Sequence, residues 1–131
     1  PDKDSARQYL HNRGMFANWH EDALAAYIDH ALKPSEYGLS LKCQPEREAD
    51  IFASFPQKLW QQLSTPCPPV QVIYGDKSYD FIAKAMAKWQ RQNNAVTSKV
   101  VPGGHCFMQE YPEHAAGYII QAIDNLNSAP N

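Results

Sequence analysis

The rhythm of apolar positions changes once along the chain, near residue 65. Before that point apolar residues recur at helical spacing in short, interrupted stretches. Leu24, Tyr27, Ile28, Ala31 and Leu32 form an i, i+3, i+4 stripe, which predicts an amphipathic helix with one buried face. Asn18 and Glu21 stand at capping-box spacing ahead of it. Pro34 lies past its end, where proline is expected. A polar helix over 4–10 is stopped by Asn12-Arg13-Gly14, and residues 35–41 read as a loop turning at Gly38. Pro45 suits the first turn of a further helix, with Glu46 and Glu48 near its positive end and Ala49, Phe52 and Ala53 on its apolar side. Pro56 interrupts it, and residues 57–63 give a short helix showing Leu59, Trp60 and Leu63.

Ser64-Thr65-Pro66-Cys67-Pro68-Pro69 is a stiff, proline-rich link. The organisational boundary falls there, dividing the chain into a helical segment, 1–65, and a second segment, 66–131. Beyond the link Val70-Gln71-Val72-Ile73-Tyr74 is short and β-branched, as a buried parallel strand should be. Gly75 to Tyr79 is the turn after it. A helix over 80–92 carries Phe81, Ile82, Ala85, Met86 and Trp89 on one face, and Asn93-Asn94 closes it. Residues 97–101 form a second strand. A last helix starts near Pro112-Glu113, buries Ala116, Ile119, Ile120 and Ile123, and frays over 127–131. The second segment is therefore strand–helix–strand–helix, a parallel α/β unit.

Length and composition narrow the class without naming a function. A chain of 131 residues is one domain or a piece of one. The net charge of -2 offers no basic field for nucleic acid or an anionic membrane. No apolar run nears the roughly 18–20 residues of a membrane span. The chain opens on Pro1 with no initiator methionine and no apolar leader, which points to a non-native start. Three cysteines, Cys43, Cys67 and Cys106, are odd in number and form no C-x-x-C pair. They suggest neither a disulfide framework nor a structural zinc site, so the expected compartment is reducing, the cytoplasm. No cofactor and no metal is expected.

Chemistry points to one loop. Lys99-Val100-Val101 runs into Pro102-Gly103-Gly104-His105. Two glycines allow a sharp turn that holds the imidazole just past the end of a strand, where chemistry gathers in parallel α/β sheets.

These blocks resemble a known family. Pro69-Val70-Gln71-Val72-Ile73-Tyr74-Gly75-Asp76 resembles the penultimate strand and following turn of the α/β-hydrolase fold. Val101-Pro102-Gly103-Gly104-His105, with Glu110, Pro112 and Glu113 after it, resembles that fold's last strand, catalytic-histidine loop and final helix. The helical first segment resembles the cap inserted in many of these enzymes, and Leu41-Lys42-Cys43-Gln44-Pro45-Glu46 is similar to a segment in caps of esterase- and lipase-like members. The implied fold class is α/β: a helical cap followed by the C-terminal portion of an α/β-hydrolase sheet, two parallel strands and two helices.

The resemblance implies that His105 is the base of a catalytic triad. It places the triad acid three residues after Gly75, where this chain has Ser78. Three positions for the acid stay open: Asp80, Asp76, or a carboxylate upstream of Pro1. The nucleophile of the family sits in a G-x-S-x-G elbow, and no serine of this chain has that surrounding. Cys106, beside His105, is a poor nucleophile candidate because sequence neighbours on a loop seldom aim at each other. Among the aromatics of the cap, Trp19, Phe52 and Trp60 are candidates for an apolar wall over a substrate; the competing reading makes such residues the cap's own small core.

Two functions follow. In the first the chain is the C-terminal half of a serine hydrolase acting on a small-molecule ester or related acyl bond. It is inactive alone and is completed by an N-terminal half carrying the nucleophile. In the second it is a non-catalytic hydrolase-like module that holds a small apolar ligand or a protein partner. Two parallel strands cannot cover both faces and both edges, so a missing half or self-association is expected in either case. A third reading, a stand-alone α+β interaction domain, requires 10–63 to close the core over the two strands.

Overall fold

The computed structural model describes residues 2–128; Pro1 and the last part of the expected frayed tail, 129–131, lie outside the described residues. The chain divides into two compact units, Pro1–Pro56 and Gln57–Asn131.

In the first unit, helix α1 (Lys3–Leu10) starts at Asp2, whose carboxylate accepts the Ser5 N–H at 2.8 Å. Helix α2 (Glu21–Ala31) presents Leu24 and Ile28 to the interior, as its stripe predicts. Its cap differs from the expected one. His20 is the N-cap, its Nδ1 accepting the Asp22 N–H at 3.3 Å, while Asn18 sits in a left-handed conformation at φ 69°. Lys3 Nζ donates to Asp29 Oδ1 at 2.6 Å and ties α1 to α2. Phe16, Trp19 and Tyr27 meet edge to face, with centroids 4.9–5.9 Å apart.

The expected loop over 35–41 is largely a hairpin. Strand β1 (Leu32–Ser35) pairs antiparallel with β2 (Gly38–Leu41), Leu32 opposite Leu41 and Ser35 opposite Gly38. Runs of four residues are too short to show a period of two. Pro34 also reads as a breaker, yet a two-stranded ribbon has only edges, which tolerate proline. Helix α3 (Pro45–Ala53) begins at its proline as predicted, but its apolar side is not buried: Phe52 is 81% exposed, and Ile51 and Phe55 are exposed too.

The second unit holds helix α4 (Leu59–Leu63), strand β3 (Val70–Gly75), helix α5 (Asp80–Gln92), strand β4 (Val96–Val101), the short helix α6 (Phe107–Glu110) and helix α7 (Pro112–Ser128). The strands are parallel, in register from Val70 opposite Val96 to Gly75 opposite Val101. Helix α5 packs on β4 and α7 on β3. Val101, Phe107 and Ala115 form the core of this packing, with Ile73 and Tyr118 against it. Met86 is buried on α5 and Ile82, Ala85 and Trp89 are half-buried, whereas Phe81 is exposed.

The buried face of α7 is not the predicted one. Ala115 and Ala122 are buried and Tyr118 half-buried, while Ile119, Ile120 and Ile123 are exposed. The helix carries two apolar stripes, and the one with the smaller side chains approaches the sheet. Among the described residues no helix is long and apolar enough to cross a membrane.

Candidate functional site

Because Gly75 pairs with Val101, the loops after β3 and β4 leave the sheet at the same end and run side by side. Backbone bonds knit them together. Asp76 N–H donates to Val101 O at 2.8 Å and Lys77 N–H to Gly103 O at 2.9 Å. The approach is so close that a Cβ on Gly75 would collide with the carbonyls of Gly103 and Gly104. Gly103 has φ 136°, open to glycine and strained for other residues, and a Cβ there would also meet Phe107 Cβ at 2.7 Å. The diglycine thus does what its sequence suggests: it admits a turn and a backbone contact at once.

Two carboxylates brace the turn. Asp76 Oδ1 accepts the Gly103 N–H at 2.9 Å, and Glu110 Oε2 accepts the Gly104 N–H at 2.8 Å. His105 follows, exposed, with its ring 4.9 Å from the Tyr79 ring centroid to centroid. Tyr79 in turn stacks on Phe81 at 5.4 Å and 8°. Ser78 Oγ lies 2.9 Å from His105 Nδ1. That contact leaves Nε2 as the ring nitrogen available to a reactant.

The residues singled out from sequence fall in different places. His105 stands on its strand-end loop. Asp76 is spent on the Gly103 amide, and Asp80 is exposed at the first position of α5. Among the described residues no carboxylate pairs with the His105 ring; the Nδ1 contact belongs to Ser78. Trp19 lies in the aromatic cluster of the first unit, with its indole N–H buried and unpartnered among the described residues. Phe52 projects from α3. Trp60 is on α4 in the second unit, with Lys88 Nζ 3.9 Å from its ring centre. Cys106 is a half-buried thiol at the start of α6. No group of three or more His, Cys, Asp or Glu side chains able to hold a metal occurs among the described residues.

The first unit also contains an apolar cleft of about 550 Å³, walled by Tyr9, Leu10, Phe16, Tyr27, Leu39 and Leu41. Burial, reinforced by the negative charge of Glu48, pushes the Tyr27 phenol above its ordinary value, so it stays neutral there. Sequence reading missed this cleft, because part of its wall, Leu39, Ser40 and Leu41, comes from the segment read as a loop. It also missed Ser78 as the partner of His105; the available signal was the position of Ser78, three residues after the strand-end glycine.

Comparison with known proteins gives one informative match. No family model matches the chain, and no curated protein matches it. Among solved structures, the crystal structure of E-2-(acetamidomethylene)succinate hydrolase superposes with a TM-score of 0.75 at 25% identity, covering 94% of this chain and 46% of that one. The chain spans less than half the length of that structure. Its fold is that of the C-terminal part of an α/β-hydrolase: helices and a parallel two-stranded sheet.

Proposed function

We propose that the chain is the part of a serine hydrolase that supplies the triad histidine, His105, for hydrolysis of an ester or related acyl bond. The nucleophile comes from a segment outside residues 1–131. The observation that carries this reading is the disposition of His105: exposed at the end of a parallel strand, tied at Nδ1 to Ser78 and open at Nε2. Such a ring takes the proton of an attacking hydroxyl on Nε2 and returns it to the leaving group. The likeness to a solved hydrolase supports the class of reaction, not the substrate.

In this reading the helical first segment is the cap of the hydrolase. Of the aromatic candidates, Phe52 is the one whose ring is uncommitted; Trp19 is packed in its cluster and Trp60 lies under Lys88. Three positions for the triad acid stay open in this reading: Asp80, Asp76, whose carboxylate is already engaged by the Gly103 N–H, and a carboxylate upstream of Pro1. Three thiols suit a reducing compartment, the cytoplasm.

A second reading, a non-catalytic module holding a small apolar ligand, draws on the hydroxyl that stands at Nδ1 and on the apolar cleft of the first unit. A p-nitrophenyl ester assay on the full-length protein separates the two. Hydrolysis that falls at least about 100-fold in His105→Ala supports the enzyme. Hydrolysis that survives the change removes His105 from the mechanism, and no hydrolysis together with binding of an apolar probe supports the module.

A further inference from the structure

We infer that Ser78 is the positioning residue of His105: its hydroxyl accepts the Nδ1 proton and so fixes the tautomer in which Nε2 carries the lone pair. The inference rests on the reading of His105 as a base. Ser78 Oγ is 2.9 Å from Nδ1. The serine does not reach this point by chance rotation of a loose loop. Its own N–H donates to Gly75 O at 3.1 Å, and the residue before it, Lys77, is bonded to Gly103 O. The loop bearing the histidine is held from the other side by Asp76 on Gly103 and Glu110 on Gly104. Tyr79, the next residue, lays its ring against the imidazole. Hydroxyl and ring are therefore presented to each other by two backbones that are themselves pinned together.

A hydroxyl in this place does part of the work of a carboxylate. Both accept from Nδ1–H and both orient the ring. The hydroxyl brings no negative charge, so it does not favour the imidazolium that forms when Nε2 takes a proton. The charged groups around the loop do not make up for this: Asp76 and Glu110 face backbone amides, Asp80 stands at the start of α5, and none pairs with the ring among the described residues. Among the described residues, then, Ser78 orients the base without the charge assistance a carboxylate would bring.

The test reads the tautomer directly. The full-length protein is labelled with 15N in histidine, His105 is identified from the His105→Gln spectrum, and long-range proton–nitrogen correlations are recorded where the ring is neutral. The expected result is a protonated Nδ1 and a bare Nε2. Ser78→Ala should return His105 to the Nε2–H form that imidazole prefers in water, and Ser78→Thr, which keeps the hydroxyl, should preserve Nδ1–H. An Nε2–H ring in the unmodified protein overturns the inference, since Ser78 would then be donating to Nδ1. That measurement needs no variant to fold. In the ester assay Ser78→Asp should raise kcat about tenfold or more with KM little changed; a kcat that falls or stays the same while the fold is intact counts against the role. Absence of hydrolysis with Nδ1–H present supports the positioning and sinks the hydrolase reading alone.

Discussion

The carboxylate of Asp76 accepts the backbone N–H of Gly103 at 2.9 Å, joining the turn after the first parallel strand to the turn after the second. This bond has a structural task distinct from triad chemistry, and two substitutions separate them. Asp76→Asn keeps an acceptor oxygen for Gly103, so stability should fall by no more than about 0.5 kcal/mol and any ester hydrolysis should stay within a few-fold. Asp76→Ala leaves the amide without its partner and should cost about 1–2 kcal/mol. Chemical denaturation of both variants checks the first claim. A loss of hydrolysis in Asp76→Asn beyond about 100-fold would return Asp76 to the role of triad acid.

How much of this was legible beforehand depends on what each signal measures. Strand β3, helix α5 and the turn at Gly103 read directly, because β-branched runs, a helical stripe over 80–92 and paired glycines are local properties. Faces read less well. Periodicity finds an apolar stripe but not the neighbour it meets, and on α7 the heavier stripe, Ile119, Ile120 and Ile123, points away from the sheet. The hairpin was illegible because each strand has four residues and one contains Pro34. At the site, His105 was visible from its glycines. The partner of its Nδ1 was not, since that contact joins residues 27 apart in sequence and depends on the register of two strands.

The exposed stripe of α7 makes a prediction about solubility. Ile119, Ile120 and Ile123 are 46%, 60% and 51% exposed, and neighbouring apolar side chains on a surface favour association. Changing all three to glutamine should alter stability by at most about 0.5 kcal/mol per site. It should also reduce concentration-dependent association of the chain, read by sedimentation velocity. Unfolding of the triple variant would mean that the stripe is part of the core.

Acid should loosen the first unit. The Ser5 amide and hydroxyl, bonded to Asp2, hold the Asp2 carboxyl below its ordinary 3.8, and the hydrogen bond from Lys3 holds Asp29 below the same value. A carboxylate whose folded value is depressed stabilises the fold above its unfolded value, and that contribution is lost as pH falls through the folded value. The capping of α1 and its tie to α2 should therefore be unchanged above about pH 5 and fade below about pH 4. The amide resonance of Ser5 followed against pH reports the first of these directly. A midpoint at or above 3.8 would contradict the bond to Asp2.

Asn93 should be among the most costly polar residues to replace. It is 9% exposed at the end of α5. Its amide nitrogen donates to Thr65 O at 2.9 Å, with Leu63 O at 3.3 Å and Cys67 Sγ at 3.4 Å also in reach. Its side-chain oxygen accepts the Ala95 N–H at 3.0 Å, and Trp89 adds a second bond to Leu63 O at 2.9 Å. One side chain thus anchors the proline-rich link to the turn that starts β4. Removing it strands an amide and a carbonyl in a partly buried place, each at about 1–3 kcal/mol. Asn93→Ala should lose about 2–4 kcal/mol. Asn93→Asp is the sharper test, because it keeps the acceptor for Ala95 and replaces the donor by an oxygen facing carbonyls. It should be at least as destabilising as alanine near neutral pH and recover part of the loss in mild acid, where the protonated carboxyl can donate again. Equal stability of Asn93→Asp and the parent protein at neutral pH, measured by urea unfolding, would show that the link is held by packing instead.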